Sequence, residues 1–181
     1  MKFEELFKEI PVDQIADDNN IFTLVGKESF AITAGKADHY NSMIGSGGGF
    51  GMMFHNPVTW CIIRSDRYTL ELMEQEGAYT MSYFQKEYRE QMMFLGSKSG
   101  RDSNKMQEST LSAIETSSGI MAFAEAKLII ECKLIQVTMP AVADFRMPET
   151  KEYLEKAYQN PTDQRQYVFG EITHAWVKID E

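Results

Sequence analysis

Apolar and polar positions alternate most clearly over residues 126–137 (AKLIIECKLIQV). Leu128, Ile130, Cys132 and Leu134 fall on one face, and Lys127, Glu131 and Lys133 on the other, with Ile129 and Ile135 beside them. A period of two with a half-polar outer face predicts a strand of a barrel or sandwich. Residues 57–64 (PVTWCIIR) form a near-continuous apolar run, which predicts a strand buried on both faces. Residues 22–25, 29–33 and 78–84 read as further strands, with a turn at Gly26-Lys27 between the first two. A last long strand is predicted over 166–179, interrupted by Gly170, which suggests a bulge or a close backbone approach.

Three segments carry helical spacing instead. Residues 68–76 hold Leu70, Leu72 and Met73 and stop at Gly77. Residues 86–95 place Tyr88, Met92 and Leu95 at i, i+4 and i+7 and stop at Gly96. Both glycines fit helix C-caps. Residues 148–158 begin with Pro148, favourable in a first turn, and carry the narrow stripe Tyr153, Leu154 and Ala157. Many strands with a few helices among them predict a mainly β fold with α additions, a β-barrel. Nothing divides the 181 residues, so one domain is expected, with its core over about 22–179.

Charge narrows the partners. With 18 Lys and Arg against 27 Asp and Glu, the net charge is -9. Such a chain repels nucleic acid and anionic membranes, and neither is expected as a partner. Any anionic ligand needs a local basic cluster working against the global field. The two cysteines, Cys61 and Cys132, lie inside apolar runs and read as buried thiols. The charged N-terminus lacks the apolar core of a signal peptide, and no stretch reaches transmembrane length. The expectation is a cytoplasmic protein.

Two basic segments meet the requirement for a local cluster. In Arg64-Ser65-Asp66-Arg67-Tyr68-Thr69 a predicted strand hands over to a predicted helix, whose N-terminus offers backbone donors to an anion. Lys98, Arg101 and Lys105 lie in a second segment with Ser99 and Gly100. Together they form a candidate phosphate clamp. The alternative is two solvated loops in which Asp66 and Asp102 neutralise neighbouring arginines. The glycine cluster at 45–51 would let backbone N–H groups approach a flat ligand, or would form a flexible surface loop. It matches neither G-x-G-x-x-G nor a P-loop. His39, His55 and His174 show no metal-ligand spacing, and no G-x-S-x-G elbow is present.

Taken in order, these segments resemble the flavin-reductase-like family with the FMN-binding split-barrel fold. Asn41-Ser42-Met43-Ile44-Gly45-Ser46-Gly47-Gly48 is similar to the family's N-x-M-T-x-S-W-G loop. Pro57-Val58 followed by Arg64 to Thr69 resembles a P-V strand and then R-x-x-R-Y-T. Residues 95–105 resemble L-G-x-x-S-G-R-D-x-x-K, residues 125–133 resemble E-A-x-x-x-x-E-C-K, and residues 167–172 resemble Y-x-x-G-E-I.

The resemblance implies non-covalent FMN, a homodimer, and electron flow from NAD(P)H through the flavin to a flavin, metal complex or other acceptor. Carried over by residue, it places Arg64, Ser65, Arg67, Tyr68, Thr69, Ser99, Gly100 and Lys105 at the phosphate and ribityl chain. Asn41, Met43, Ile44, Gly45, Ser46, Gly47 and Gly48 would follow the isoalloxazine. Hydride transfer to the flavin requires no side-chain acid or base, so no catalytic residue is assigned. The chain departs from the pattern at Ile44, where the family has Thr, and at Gly47, where it has Trp. Gln164-Arg165-Gln166-Tyr167 also lacks the family's His. These departures keep two alternatives open: a non-enzymatic FMN electron carrier, or a binding module of the same fold that has lost its flavin.

Overall fold

Segments rich in β-branched and aromatic residues make strands the main regular structure of the computed structural model, which describes residues 2–17, 19–28 and 30–179. Ser29, at the start of one expected strand, lies outside the described residues. The elements run α1 (Phe3–Leu6), β1 (Phe7–Ile10), α2 (Ile21–Gly26), β2 (Phe30–Lys36), β3 (His39–Gly45), β4 (Gly48–Met53) and β5 (Asn56–Arg64). They continue with α3 (Tyr68–Glu76), β6 (Ala78–Tyr83), α4 (Arg89–Ser97), α5 (Lys105–Glu108), β7 (Ala113–Glu115) and β8 (Met121–Phe123). The last three are β9 (Leu128–Thr138), α6 (Pro148–Ala157) and β10 (Arg165–Lys178).

The main sheet is antiparallel, in the order β3-β2-β6-β9-β10-β5-β4, with β1 added to β10. Alternate residues of its strands meet in one buried cluster. Phe30 and Ile32 from β2, Tyr79 and Met81 from β6, Ile130 from β9 and Val168 from β10 all join it. Cys61 and Ile63 from β5 join the same cluster, so the sheet curls round its own inner face. Both cysteines are buried free thiols, and burial pushes the Cys61 pKa up to about 12. The mainly β fold with α additions is as the pattern predicts.

β10 organises the sheet. From Tyr167 to Val177 it pairs with β9, while its other edge pairs first with β5 (Arg165–Glu171 against Arg64–Val58) and then with β1 (Ala175–Lys178 against Ile10–Phe7). The register slips at Phe169/Gly170 and at Ile172/His174. The bulge expected at Gly170 is therefore present. A Cβ there would stand 2.4 Å from the Tyr79 hydroxyl and 2.9 Å from Cys132 Cβ. β10 can bend inward at this point only without a side chain.

A second cluster covers the outside of β2, β9 and β10. Phe3, Phe7, Leu95, Phe123, Ile129 and Trp176 form its centre. It explains why residues Leu128 to Cys132 are buried on both faces. The half-polar outer face expected there begins only at Lys133. Glu131, expected at the surface, is 5% exposed and accepts a 2.6 Å hydrogen bond from the Thr116 hydroxyl. The reverse holds for β5: Trp60 and Ile62, expected to be buried, are half-buried beside Tyr167 and Phe169 of β10.

Residues 22–25 form a helix and not the expected strand. Asn20 caps it by accepting from the Thr23 N–H at 3.1 Å, while Leu24 and Val25 enter the core. A four-residue apolar run has no period to distinguish the two structures, and the cap decides. The turn expected at Gly26-Lys27 is this helix's last residue and its C-cap. Helix α3 ends at Gly77 in the left-handed conformation (φ 66°), as expected.

Helix α4 starts at Arg89, after a 3₁₀ turn over Lys86–Tyr88, and runs past Gly96 to Ser97. Gly96 is thus no C-cap. A Cβ there would stand 2.4 Å from Ile44 Cγ2, so the glycine lets α4 lie against β3. The glycine-rich stretch, one reading of which was a flexible loop, is instead built into paired strands. Gly45 pairs with Phe30, and Gly48 with Cys61.

Replacing Gly170 by Ala should lower stability by about 1–3 kcal/mol, the usual range for overpacking a tight interior. Urea unfolding of the two proteins measures this. An unchanged midpoint would mean that Tyr79 moves aside freely and that the bulge needs no glycine.

Candidate functional site

The close approach of α4 to β3 sets up a site at one end of the barrel. β5 delivers Arg64 at its end, a short turn follows, and α3 begins at Tyr68 with Arg67 as N-cap. Arg67 makes no side-chain cap bond among the described residues, so the Tyr68 and Thr69 N–H groups of α3 keep their capacity for an outside acceptor, while the Leu70 N–H donates to the Arg67 carbonyl at 3.0 Å. Buried Asn41 of β3 donates to the Thr69 hydroxyl at 2.8 Å and fixes this helix start against the sheet. Across the gap, α4 ends and the segment 98–105 folds back toward the same place.

A cavity of about 380 Å³ opens between these pieces. Asn41, Met43 and Ile44 of β3 form one wall. Arg67, Tyr68 and Thr69 form the second, and Ser99, Gly100 and Lys105 the third. Nine of the fifteen residues expected at the site are thereby gathered around one space, although they come from three separate segments.

The other six lie apart from it. Gly45, Ser46, Gly47 and Gly48 make the junction of β3 and β4. The Arg64 guanidinium is engaged by Asp66 at 3.1 Å and by Asp163 at 3.7 Å, and the Ser65 hydroxyl donates to the Pro161 carbonyl at 3.2 Å. Leu95, Gly96, Lys98, Arg101, Asp66 and Asp102 also line the cavity and were not among the fifteen. Lys98 stands out in the sequence only as a cation of the second basic segment, whereas Arg101 and Asp102 are also positions of the L-G-x-x-S-G-R-D-x-x-K motif. Leu95 and Gly96 carried the signal of a helix end.

Electrostatics favour an anion here. Four cations, Arg67, Lys98, Arg101 and Lys105, face two carboxylates, Asp66 and Asp102, in a protein that is acidic overall. Burial acts to raise Asp66, but its hydrogen bond from Arg64 and the charges of Arg64 and Arg67 outweigh this and hold it below the usual carboxylate value. Lys105 is 3% exposed. Its ammonium donates to the Leu95 carbonyl at 3.0 Å and the Lys98 carbonyl at 3.1 Å. An ammonium has three N–H donors, and the third is left for a ligand. Burial, and then the nearby Arg67 charge, lower its pKa to about 8.

Arg101 is held at the edge of the cavity. Its guanidinium lies 4.9 Å over the Tyr68 ring and donates to Glu71 at 2.6 Å. Lys98 pairs with Glu108. The arrangement can grip a phosphate through cations and backbone donors, with an apolar wall at Met43 and Ile44 for a neighbouring flat group.

Comparison with known proteins gives a consistent picture. Residues 32–180 match the family described as flavin reductase like domain. No curated protein matches the chain. Among solved structures it is similar to an FMN-binding domain of a flavin reductases-like enzyme from Shewanella baltica OS155, at 16% identity and a TM-score of 0.66, covering 94% of this chain and 76% of that one. It is similar to flavoredoxin of Desulfovibrio vulgaris (Miyazaki F), at 19% identity and a TM-score of 0.63, covering 92% and 75%. A Shewanella frigidimarina NCIMB 400 protein with a split barrel domain aligns at 20% identity and a TM-score of 0.65, covering 83% and 67%. The curled sheet is thus the split barrel that the sequence motifs resemble.

Lys105 gives the free protein a defined pH response. Its folded-state pKa of about 8 lies below the unfolded lysine value of 10.5, so the unfolded chain binds more protons between these limits. The stability of the wild type relative to Lys105→Met should therefore rise as pH increases from 8 to 10.5, and be level below pH 8. Chemical denaturation of both proteins across this range checks it. A difference that is flat throughout would show that Lys105 is not desolvated.

Proposed function

The chain belongs to the flavin reductase-like family, and on that premise we propose that it is an FMN-binding oxidoreductase, passing electrons from NAD(P)H through the flavin to a flavin, metal complex or other acceptor. The observation that supports this reading best is the convergence of the uncapped α3 N-terminus, Arg67 and buried Lys105 on one cavity beside β3. These residues fit the group: a phosphate monoester carries about −1.5 to −2 charge at neutral pH and needs several donors at once.

In this reading Arg67, Lys105, Ser99 and the first turn of α3 hold the phosphate. Tyr68, Thr69 and Gly100 border the ribityl chain, and Met43 and Ile44 give the ring system an apolar wall. Asn41 acts through Thr69, keeping the helix start in place. Bound FMN supplies the hydride acceptance and onward electron transfer, while the protein supplies position and electrostatics. Homodimer formation and a cytoplasmic setting belong to the same reading.

Ile44 favours one alternative. It presents a methyl-rich surface to the cavity where the family motif has Thr, which suits a module of this fold that no longer holds flavin.

Titration with FMN, followed by flavin fluorescence, separates these possibilities. The wild type should bind saturably. Arg67→Ala should weaken binding by about tenfold or more, since a hydrogen bond to a charged group contributes roughly 1.5–3 kcal/mol. Bound FMN should then be reduced by NADH or NADPH. Binding without reduction would favour the non-enzymatic carrier, and a protein that binds no FMN would leave the flavin-free module.

A further inference from the structure

The four cations that line the cavity fall into two pairs. Lys105 donates to carbonyl oxygens, and Arg67 stands 3.8 Å from Asp66, whose carboxylate is already engaged by Arg64. Arg101 and Lys98 differ. Each lines the cavity, yet each gives its charge to a carboxylate that does not line it. Arg101 donates to Glu71 at 2.6 Å, and Lys98 pairs with Glu108.

Both pairs are built so that the cation can turn. The Arg101 guanidinium lies 4.9 Å over the Tyr68 ring, which is fixed by the 2.8 Å hydrogen bond between its hydroxyl and His39 Nε2. The ring borders the cavity, so the guanidinium can pass from Glu71 to a ligand while keeping its aromatic contact. On the other side, the Lys98 ammonium lies 5.3 Å from the centre of the Phe94 ring. Phe94 and Glu108 line a separate cavity of about 330 Å³ and not the first, so the Lys98 charge is held outside the site that its side chain borders.

Solvent reaches all four groups: the side chains of Arg101, Glu71, Lys98 and Glu108 are 43–46% exposed. Ion pairs this exposed are weak and readily exchanged. A phosphate monoester with close to two negative charges can accept from both cations at once, through charge-assisted hydrogen bonds.

We propose that Glu71 and Glu108 are competing acceptors: they hold Arg101 and Lys98 off the site in the free protein, release them when a phosphate enters, and so limit its affinity. The proposal rests on the reading of this cavity as a flavin phosphate site. It gives the two glutamates a role opposite to that of supporting ion pairs, which would orient the cations toward the ligand and strengthen binding.

The test is fluorescence titration of the full chain with FMN at about 0.15 M salt, where the screening length is about 8 Å. Glu71→Gln and Glu108→Gln keep the size of each side chain and remove its charge. Each should tighten FMN binding about two- to fivefold, as release of an exposed ion pair would give. In an Arg101→Ala background Glu71→Gln should have no effect, and in a Lys98→Ala background Glu108→Gln should have none. Unchanged or weaker binding in either single variant overturns the proposal for that glutamate. Tightening that persists in the alanine background also overturns it, because it then reports only the loss of a nearby negative charge. Both outcomes leave the flavin site standing. If none of these proteins binds FMN, the reading of the cavity falls, and this proposal with it.

Discussion

The pairing of β10 on both edges is the constraint from which the rest of the molecule follows. One edge is committed to β9 from Tyr167 to Val177, and the other must serve β5 and then β1. A straight strand could not meet both demands while curling round a core. The bulge at Gly170 resolves this, with Tyr79 and Cys132 pressed against the bare backbone. Once β10 bends there, β5 is carried round toward the far edge of the sheet, and its end at Arg64 arrives beside β3. The α3 N-terminus is positioned by this closure, and its direct tie to β3 is the Asn41–Thr69 hydrogen bond.

A second close approach completes the site. Gly96 lets α4 settle on Ile44, so the chain leaving α4 must turn back across β3 within a few residues. That return buries Lys105, whose ammonium is bound to carbonyls of Leu95 and Lys98. A buried cation near Arg67 is unfavourable in the free protein, as its lowered pKa states. An arriving anion would relieve both the desolvation and the repulsion. The departure at Ile44 belongs to this packing: its side chain meets α4 and lines the cavity at once.

Much of this was legible. Gly77 and Pro148 mark structural events because each backbone requirement is local, whereas the requirement at Gly170 comes from Tyr79 and Cys132 on other strands. The two basic segments reach one cavity, and the motif spacing of R-x-x-R-Y-T and L-G-x-x-S-G-R-D-x-x-K identifies them. Legibility failed where a short segment takes its state from its surroundings. Residues 22–25 became a helix through the Asn20 cap, and Ile129 was buried by α1, α4 and the small β7–β8 hairpin packing outside the sheet. Periodicity cannot announce a second layer contributed by other parts of the chain.

Arg64 and Arg67 show the division most sharply. Three residues apart in one motif, they are equivalent as sequence: two cations at the junction of a strand and a helix. The sequence by itself determined that a basic junction exists, that the chain is acidic elsewhere, and that the fold is mainly β. The tertiary structure alone decided which cation meets the cavity. Asp163 arrives from nearly a hundred residues downstream, on the return path into β10, and with Asp66 it engages Arg64. Arg67, at the cap of α3, faces the cavity. Charge and spacing are local properties, whereas a counter-ion is placed by the course of the whole chain.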